Sequence, residues 1–254
     1  MTRRSEPIFN VPAIVLAVVV VCVFVHLLRV YWFTDADDDV FLGTFAFIPA
    51  RYEHALALRM GIPDNWACDI WTFVTYAFIH GSWMHLAVNS VWLLPFGSAL
   101  ARRFGSMRFL AFFAVTAVAG ALAHLVTHLG AEQPVIGASG AISGFMAAST
   151  RFAFQRGGPL TFAHDEEAYH VPAASLAVAL RDKRIVVFLG AWFGLNILVG
   201  LGTLAIPGLD QEVAWQAHIG GFLAGLLLFP LFDPVVVAPS LDGSGGEDSP
   251  PALD

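Results

Sequence analysis

Long uncharged apolar runs, separated by polar segments, dominate the hydrophobic pattern of this chain. Their apolar positions neither alternate as in a half-buried strand nor form the narrow stripe of a surface helix. A helix needs about 20 mostly apolar residues to cross a bilayer. The pattern therefore predicts an all-α, polytopic membrane protein, a bundle of six transmembrane helices. The predicted spans lie at 11–33, 82–101, 107–129, 139–155, 185–206 and 214–233.

The polar segments complete the predicted organisation. Residues 1–10 form the N-terminus, and 11–233 form one membrane domain. Segment 34–79 is too polar to cross the bilayer and long enough to carry structure of its own, so we expect an outer loop there. Segment 157–184 is a polar insertion on the opposite side. Residues 234–254 are Gly, Ser, Pro and acid with almost nothing to bury, which predicts a disordered acidic tail.

Composition supports lipid as the solvent of this chain. It is 57% hydrophobic and 13% charged, against roughly 25% charged residues in soluble domains. A net charge of -7 without a basic patch argues against nucleic acid as a partner. A cleavable signal peptide is the alternative for 11–33, but the apolar run is long and no small-residue cleavage site follows it.

The distribution of positive charge predicts the orientation, because cytoplasmic loops retain Lys and Arg. Ten of the 13 basic residues fall on one side of the six-span arrangement. They are Arg3, Arg4, Arg102, Arg103, Arg108, Arg151, Arg156, Arg181, Lys183 and Arg184. We therefore expect both termini in the cytoplasm and segment 34–79 facing outward. For the integral membrane protein as a whole, the expected location is the bacterial inner (plasma) membrane.

A serine lies between glycines where the fourth apolar run begins. In VIGASGAISG, Ser139 stands between Gly137 and Gly140. Unpaired N–H groups at a helix N-terminus can stabilise an oxyanion beside such a hydroxyl, and glycine lets a substrate backbone approach. The alternative is a glycine-serine turn that caps a membrane helix. The hydrolase motif G-x-S-x-G is not complete, because Ala141 occupies the position of its second glycine.

Two further segments place polar side chains in apolar spans. FIHGSWMHLAVNS contains His80, His85 and Asn89, of which the last two share a helical face. They are either oxyanion donors or hydrogen-bonding residues that join helices. AWQAHIGGFLAGLLLF places His218 about one turn inside the last span. An ionisable residue within a span is a functional candidate.

Small residues at four-residue spacing follow both the serine and the last histidine. Gly140, Gly144 and Ala148 follow Ser139, and Ala217, Gly221 and Gly225 surround His218. Such faces allow close helix approach. In the six-span arrangement the second, fourth and sixth spans run inward, so the three polar motifs converge near the outer face. We therefore expect a single site there.

His124 and His128 are four residues apart near the outer end of the third span. That spacing suits a metal, but no carboxylate nearby completes a site, and a third ligand is missing. The sequence therefore predicts no metal and no cofactor.

These motifs resemble the rhomboid family over about residues 70 to 230. The resemblance rests on G-A-S-G at a helix start, H-x4-H-x3-N on an earlier helix and A-H-x2-G-x3-G on the last helix. The turn FGSALARRFGSMRFL between the second and third spans is also similar to that family.

The resemblance implies an intramembrane serine endopeptidase with a Ser-His dyad. Ser139 would be the nucleophile and His218 the general base, while His85, Asn89 and the Ser139 backbone would stabilise the oxyanion. His80, Gly137, Gly140, Gly221 and Gly225 would be structural at the site. The implied partners are the lipid bilayer and membrane-protein substrates with a helix-destabilised segment.

The chain departs from the family at three places. Family members often have Trp-Arg in the first loop, an acidic residue after the second span and, in some, a tyrosine four residues after the serine. Here those places hold Trp71-Thr72, Ala101 and Ser143. Two other functions stay open. A transporter or channel would have polar groups through the full depth, and an inactive family member would bind membrane proteins without cutting them.

Overall fold

The protein is described here from a computed structural model, which covers residues 11–62, 65–160, 166–200 and 214–235. Within these ranges the chain is helical. The helices are α1 (Ala13–Tyr31), α2 (Asp35–Phe45), α3 (His54–Met60), α4 (Trp66–Thr75), α5 (Trp83–Phe104), α6 (Ser106–Thr127), α7 (Ser139–Ser149), α8 (Leu176–Ala179), α9 (Lys183–Gly200) and α10 (Trp215–Phe232). The predicted N-terminus 1–10, the end of the fifth span beyond Gly200 and nearly all of the predicted tail lie outside the described residues.

Five of the described helices are long and apolar enough to cross a membrane: α1, α5, α6, α9 and α10. They correspond to five of the six predicted spans. The prediction of an all-helical, polytopic membrane bundle is confirmed, and the protein is an integral membrane protein.

The fourth predicted span differs in length from the helix that the structure contains. Helix α7 ends at Ser149, whereas the hydropathy pattern extended it to residue 155. Its 11 residues cover about 16 Å at 1.5 Å per residue, roughly half of a bilayer core. Every residue from Gly140 to Ser149 is buried, because α5, α6 and α10 surround the helix. The apolar character of this segment thus reflects enclosure by protein.

Aromatic side chains fill the space between α7 and its neighbour α6. Phe145 lies at the centre, with ring centroids 5.0 Å from Phe109, 6.0 Å from Phe112 and 6.0 Å from Phe113. All four rings are almost fully buried. This packing fixes the helix that begins at Ser139.

The segment predicted as an outer loop carries helices of its own. Thr34 and Asp37 form a capping box that starts α2, and hydrogen bonds from Thr34 hold the pKa of Asp37 below its usual value. The buried arginine of this segment is Arg51, which donates to the Gly43 carbonyl and lies 3.7 Å from the Asp69 carboxylate. The segment is therefore a folded part of the molecule.

A buried ion pair closes the opposite end of the bundle. Arg103, at the end of α5, donates from Nε and Nη2 to the Asp233 carboxylate, each at 2.8 Å. Its Nη1 donates to the carbonyls of Tyr169 and Val171. Because Arg103 is 1% exposed, this one side chain joins α5, the polar insertion and the end of α10.

Candidate active site

Ser139 is the first residue of α7, directly after a sharp turn. Gly137 has φ of 114°, a conformation that residues with a side chain rarely adopt. Its N–H donates to the Tyr76 carbonyl at 3.0 Å. No side chain caps α7, so the N–H groups of its first turn are not consumed by a capping residue. The serine hydroxyl therefore lies beside the positive end of a helix.

The outer segment supports the loop that leads into Ser139. Phe47 and Val135 exchange two backbone hydrogen bonds, at 2.8 and 3.3 Å. The N–H of Ala50 donates to the Ala131 carbonyl at 2.9 Å. These bonds hold the approach to α7 against residues more than 80 positions earlier in the chain.

His218 meets the serine from the last helix. Its Nε2 lies 2.7 Å from the Ser139 hydroxyl oxygen, a hydrogen-bonding distance. The two residues are 79 positions apart, and neither is fully exposed. The structure thus brings together the two residues that the motifs single out.

Glycines on α7 and α10 allow this approach. A Cβ added at Gly221 would stand 2.7 Å from the carbonyl carbon of Gly140, and one at Gly225 would stand 2.5 Å from the Gly144 Cα. Ordinary carbon contacts are about 3.5 to 4.0 Å. The two backbones therefore touch directly, and we call this contact the glycine seam (Gly140, Gly144, Gly221, Gly225).

The second ring nitrogen of His218 also has a partner. Nδ1 forms a hydrogen bond with Oδ1 of Asn196 on α9. The Asn196 Nδ2 donates to the Trp192 carbonyl at 2.8 Å. Sequence reasoning missed Asn196, although an amide in an otherwise apolar span is a signal that could have drawn attention to it.

His85 and Asn89 lie on the other side of the serine, on α5. A Cβ at Gly137 would stand 2.7 Å from His85 Nε2 and 3.8 Å from Ser139 Oγ. The missing side chain of Gly137 thus leaves open a space between these two atoms. Asn89 is 5% exposed, and its Nδ2 donates to the His85 carbonyl at 2.9 Å, which leaves its second N–H for another acceptor.

His80 packs behind His85, with ring centroids 5.1 Å apart. Its carbonyl accepts a hydrogen bond from Arg29 at 2.9 Å, and it lies 3.1 Å from Nδ1 of His26. Arg29 is in turn paired with Asp38. Burial, together with the neighbouring His85 and His26, lowers the pKa of His80 to about 3, so its ring is neutral. It connects α1 to the start of α5.

The structure shows the surroundings of the three residues that depart from the family pattern. Thr72 donates to the Cys68 carbonyl at 2.7 Å, and Arg51 supplies the buried guanidinium of that segment. Ala101 is buried at the end of α5. Ser143 donates to the Ser139 carbonyl at 2.7 Å, so its hydroxyl is engaged within α7 while Asn196 contacts His218.

A cavity of about 440 Å³ opens over the serine. Its lining includes Ser139, His218, His85 and Asn89, together with side chains of α5 and α9. Among the described residues that line it there is no Asp or Glu. Trp92 on α5 and Leu195 on α9 line the cavity and are 39% and 45% exposed, so the cavity extends toward the outside of the bundle between these two helices.

His124 and His128 stack at the rim of the same cavity. Their ring centroids are 4.4 Å apart, with the planes nearly parallel. Across the described ranges, no group of three or more His, Cys, Asp or Glu side chains could hold a metal ion. The pair lines the cavity together with Gln133 and Gln216.

These features define a helical membrane protein with a serine-histidine pair at the start of a short, enclosed helix. A family model described as "Rhomboid domain" matches residues 67–233, about two thirds of the chain. The protein belongs to the rhomboid family. This finding confirms the family resemblance predicted from the three motifs.

Two curated relatives are similar over the same region. RHOMBOID-like protein 5 of Arabidopsis thaliana is 28% identical over 158 residues, covering 62% of this chain and 42% of that protein. Rhomboid protease GluP of Bacillus subtilis (strain 168) is 36% identical over 157 residues, covering 61% of this chain and 24% of that protein. The aligned region thus spans less than half the length of either relative.

Proposed function

We propose that this protein is an intramembrane serine endopeptidase that cleaves transmembrane or juxtamembrane segments of other membrane proteins through a Ser139–His218 dyad. The observation that carries the proposal is the 2.7 Å contact between Ser139 Oγ and His218 Nε2, at a helix start that faces a cavity. Membership of the rhomboid family and the similarity to a protein named as a rhomboid protease support it.

The dyad performs peptide hydrolysis in two steps. His218 Nε2 accepts the hydroxyl proton of Ser139 while Oγ attacks the scissile carbonyl carbon. The tetrahedral intermediate collapses when His218 returns the proton to the leaving nitrogen, the C–N bond breaks and an acyl-serine remains. Water then attacks the ester, with His218 again accepting and returning a proton, and the acid product leaves a free Ser139.

The developing oxyanion lies between α5 and the start of α7. His85 Nε2 and the Asn89 amide face this region from one side, and the Ser139 N–H faces it from the other. Donors that are already in place stabilise the negative charge without reorganisation. Gly137 keeps this space open, since a Cβ there would stand 2.7 Å from His85 Nε2.

The cavity suggests how a membrane segment reaches the serine. It extends between α5 and α9, which is the direction of the lipid. A helical segment hides its carbonyls in hydrogen bonds, so the substrate must carry a helix-destabilised stretch that unwinds into the cavity. The glycine-lined site favours small residues at the cut.

The orientation of the site follows from charge. Arg102, Arg103, Arg108, Arg151 and Arg184 lie at the ends of helices opposite to the serine. Under the positive-inside rule this end is cytoplasmic. The dyad then faces the outer side of the bacterial inner membrane, and both termini are cytoplasmic.

Cleavage of a model membrane substrate in proteoliposomes tests the proposal. Wild-type protein should cleave it and react with a fluorophosphonate at Ser139, whereas Ser139→Ala should do neither. Ser143→Ala is the matched control, because it removes a hydroxyl one turn away, and it should still be labelled. Chelator should leave cleavage unchanged.

Two outcomes would contradict the proposal. Equal cleavage by wild type and Ser139→Ala would exclude Ser139 as the nucleophile. Binding of the substrate without cleavage or labelling would favour the inactive, binding member of the family instead.

A further inference from the structure

The amide of Asn196 is held so that its oxygen faces His218. Its Nδ2 donates to the Trp192 carbonyl one turn earlier on α9, at 2.8 Å. A carbonyl oxygen can only accept, so the nitrogen must point toward it and Oδ1 must point the other way. Oδ1 lies against Nδ1 of His218. The orientation of the amide therefore follows from two partners on opposite sides.

This orientation determines which nitrogen of His218 carries the proton. Because Oδ1 of Asn196 has no hydrogen to donate, Nδ1 must be the protonated nitrogen in the neutral ring. Nε2 then presents a lone pair to the Ser139 hydroxyl, 2.7 Å away. This is the tautomer that a general base requires.

Neither Ser143 nor a carboxylate supplies this contact in the described residues. Ser143 directs its hydroxyl to the Ser139 carbonyl, and none of the described side chains lining the cavity is acidic. We propose that Asn196 is a positioning residue that fixes the tautomer and ring orientation of His218 within the reacting Ser139–His218 pair. This proposal rests on the proposed function.

The third group differs from a carboxylate in its charge. A neutral amide oxygen stabilises the imidazolium of the transition state through its dipole, without placing a second charge in an apolar bundle. Loss of a hydrogen bond to a charged ring should lower the rate of cleavage about 10- to 100-fold. The loss falls on kcat, because Asn196 acts on the base rather than on the bound substrate.

Two substitutions at Asn196 separate positioning from packing. Asn196→Leu keeps the branched shape, although it is larger, and has no acceptor, whereas Asn196→Asp keeps an oxygen where Oδ1 stands and loses the Nδ2 donor to Trp192. In proteoliposomes, Asn196→Leu should lower kcat about 10- to 100-fold with KM changed less than about twofold. Asn196→Asp should recover part of the loss, because its remaining oxygen still accepts from His218 Nδ1. Gly194→Ala is the control on the same helix, because a Cβ there meets nothing within 4 Å, and it should cleave like wild type.

A measurement without turnover tests the same contact. The ¹⁵N spectrum of histidine-labelled protein, with the His218 signals assigned by His218→Gln, should show a protonated Nδ1 and an unprotonated Nε2. In Asn196→Leu the two tautomers should mix. A proton on Nε2 in the wild type would overturn the proposal, even if a variant fails to fold.

Two kinetic results would also overturn it. One is unchanged kcat in Asn196→Leu, and the other is a loss in Asn196→Leu that Asn196→Asp does not restore. Failure of the proposed function is distinguishable from these, because the wild type would then cleave no faster than Ser139→Ala while the His218 spectrum still reports on Asn196.

Discussion

Replacement of Gly221 by alanine tests whether the glycine seam sets the distance between nucleophile and base. The added Cβ would stand 2.7 Å from the carbonyl carbon of Gly140, against about 3.5 to 4.0 Å for an ordinary carbon contact. The obstructing atoms belong to the backbone, so no side chain can rotate away. The helices must therefore separate locally by about 1 Å.

A separation of that size breaks the hydrogen bond at the dyad. The 2.7 Å between Ser139 Oγ and His218 Nε2 would exceed the limit of about 3.2 Å for such a bond. A misplacement of about 1 Å costs about 100-fold in rate, so kcat should fall by that factor. The overpacked seam should also lower the free energy of unfolding by about 1 to 3 kcal/mol.

Cleavage of a membrane substrate in proteoliposomes at several substrate densities gives kcat and KM, and thermal unfolding in detergent reports stability. Gly190→Ala on α9 is the matched control, because its Cβ meets nothing within 4 Å, and it should match wild type. Wild-type kcat in Gly221→Ala would refute the close-packing explanation. An equal loss in both variants would point to a general effect of glycine substitution.

Three further predictions concern topology, the buried ion pair and acid stability. Reporter fusions at the two termini should both report the cytoplasm, and opposite sides would contradict the orientation proposed from charge. Arg103→Met should lower the free energy of unfolding by about 3 to 5 kcal/mol, because it leaves the Asp233 carboxylate buried without its partner. Arg102→Met removes a more exposed ion pair and should lower the free energy of unfolding by less than about 1 kcal/mol in the same thermal unfolding assay. The pKa of His80 is about 3 in the folded protein and about 6.5 in the unfolded chain. The unfolded chain therefore binds a proton at this residue before the folded protein does, so the free energy of unfolding is unaffected by His80 above pH 6.5 and declines as the pH falls toward 3. Unfolding measured from pH 7 to pH 4 should therefore show a smaller loss of stability for His80→Phe than for wild type.

The sequence was informative where a bilayer restricts the chain most. An uncharged apolar run of about 20 residues is typical of a transmembrane helix, so the five long helices were predictable. Glycines at four-residue spacing beside Ser139 and His218 predicted which helices could approach closely. The distance of 2.7 Å between those side chains then follows from the backbone contact.

Three features were not predicted, each for a physical reason. Hydropathy measures how apolar a segment is and does not distinguish lipid from protein as its surroundings. The predicted fourth span therefore continued past Ser149, where α7 ends, although protein surrounds this segment. A single Asn196 in the fifth span has no periodic signature, because its direction depends on how α9 rotates against α10. The contacts of Arg51 were not predicted either, because its partners Gly43 and Asp69 lie next to it only in the folded segment.

The glycine seam joins two of the helices at the site more closely than the third. Ser139 and His218 stand on α7 and α10, whose backbones touch along the seam. Asn196 stands on α9, of which only Ile185 and Leu189 are buried among the described residues. A displacement of α9 alone would therefore leave the distance between Ser139 and His218 unchanged, whereas it would lengthen the contact between Asn196 and His218.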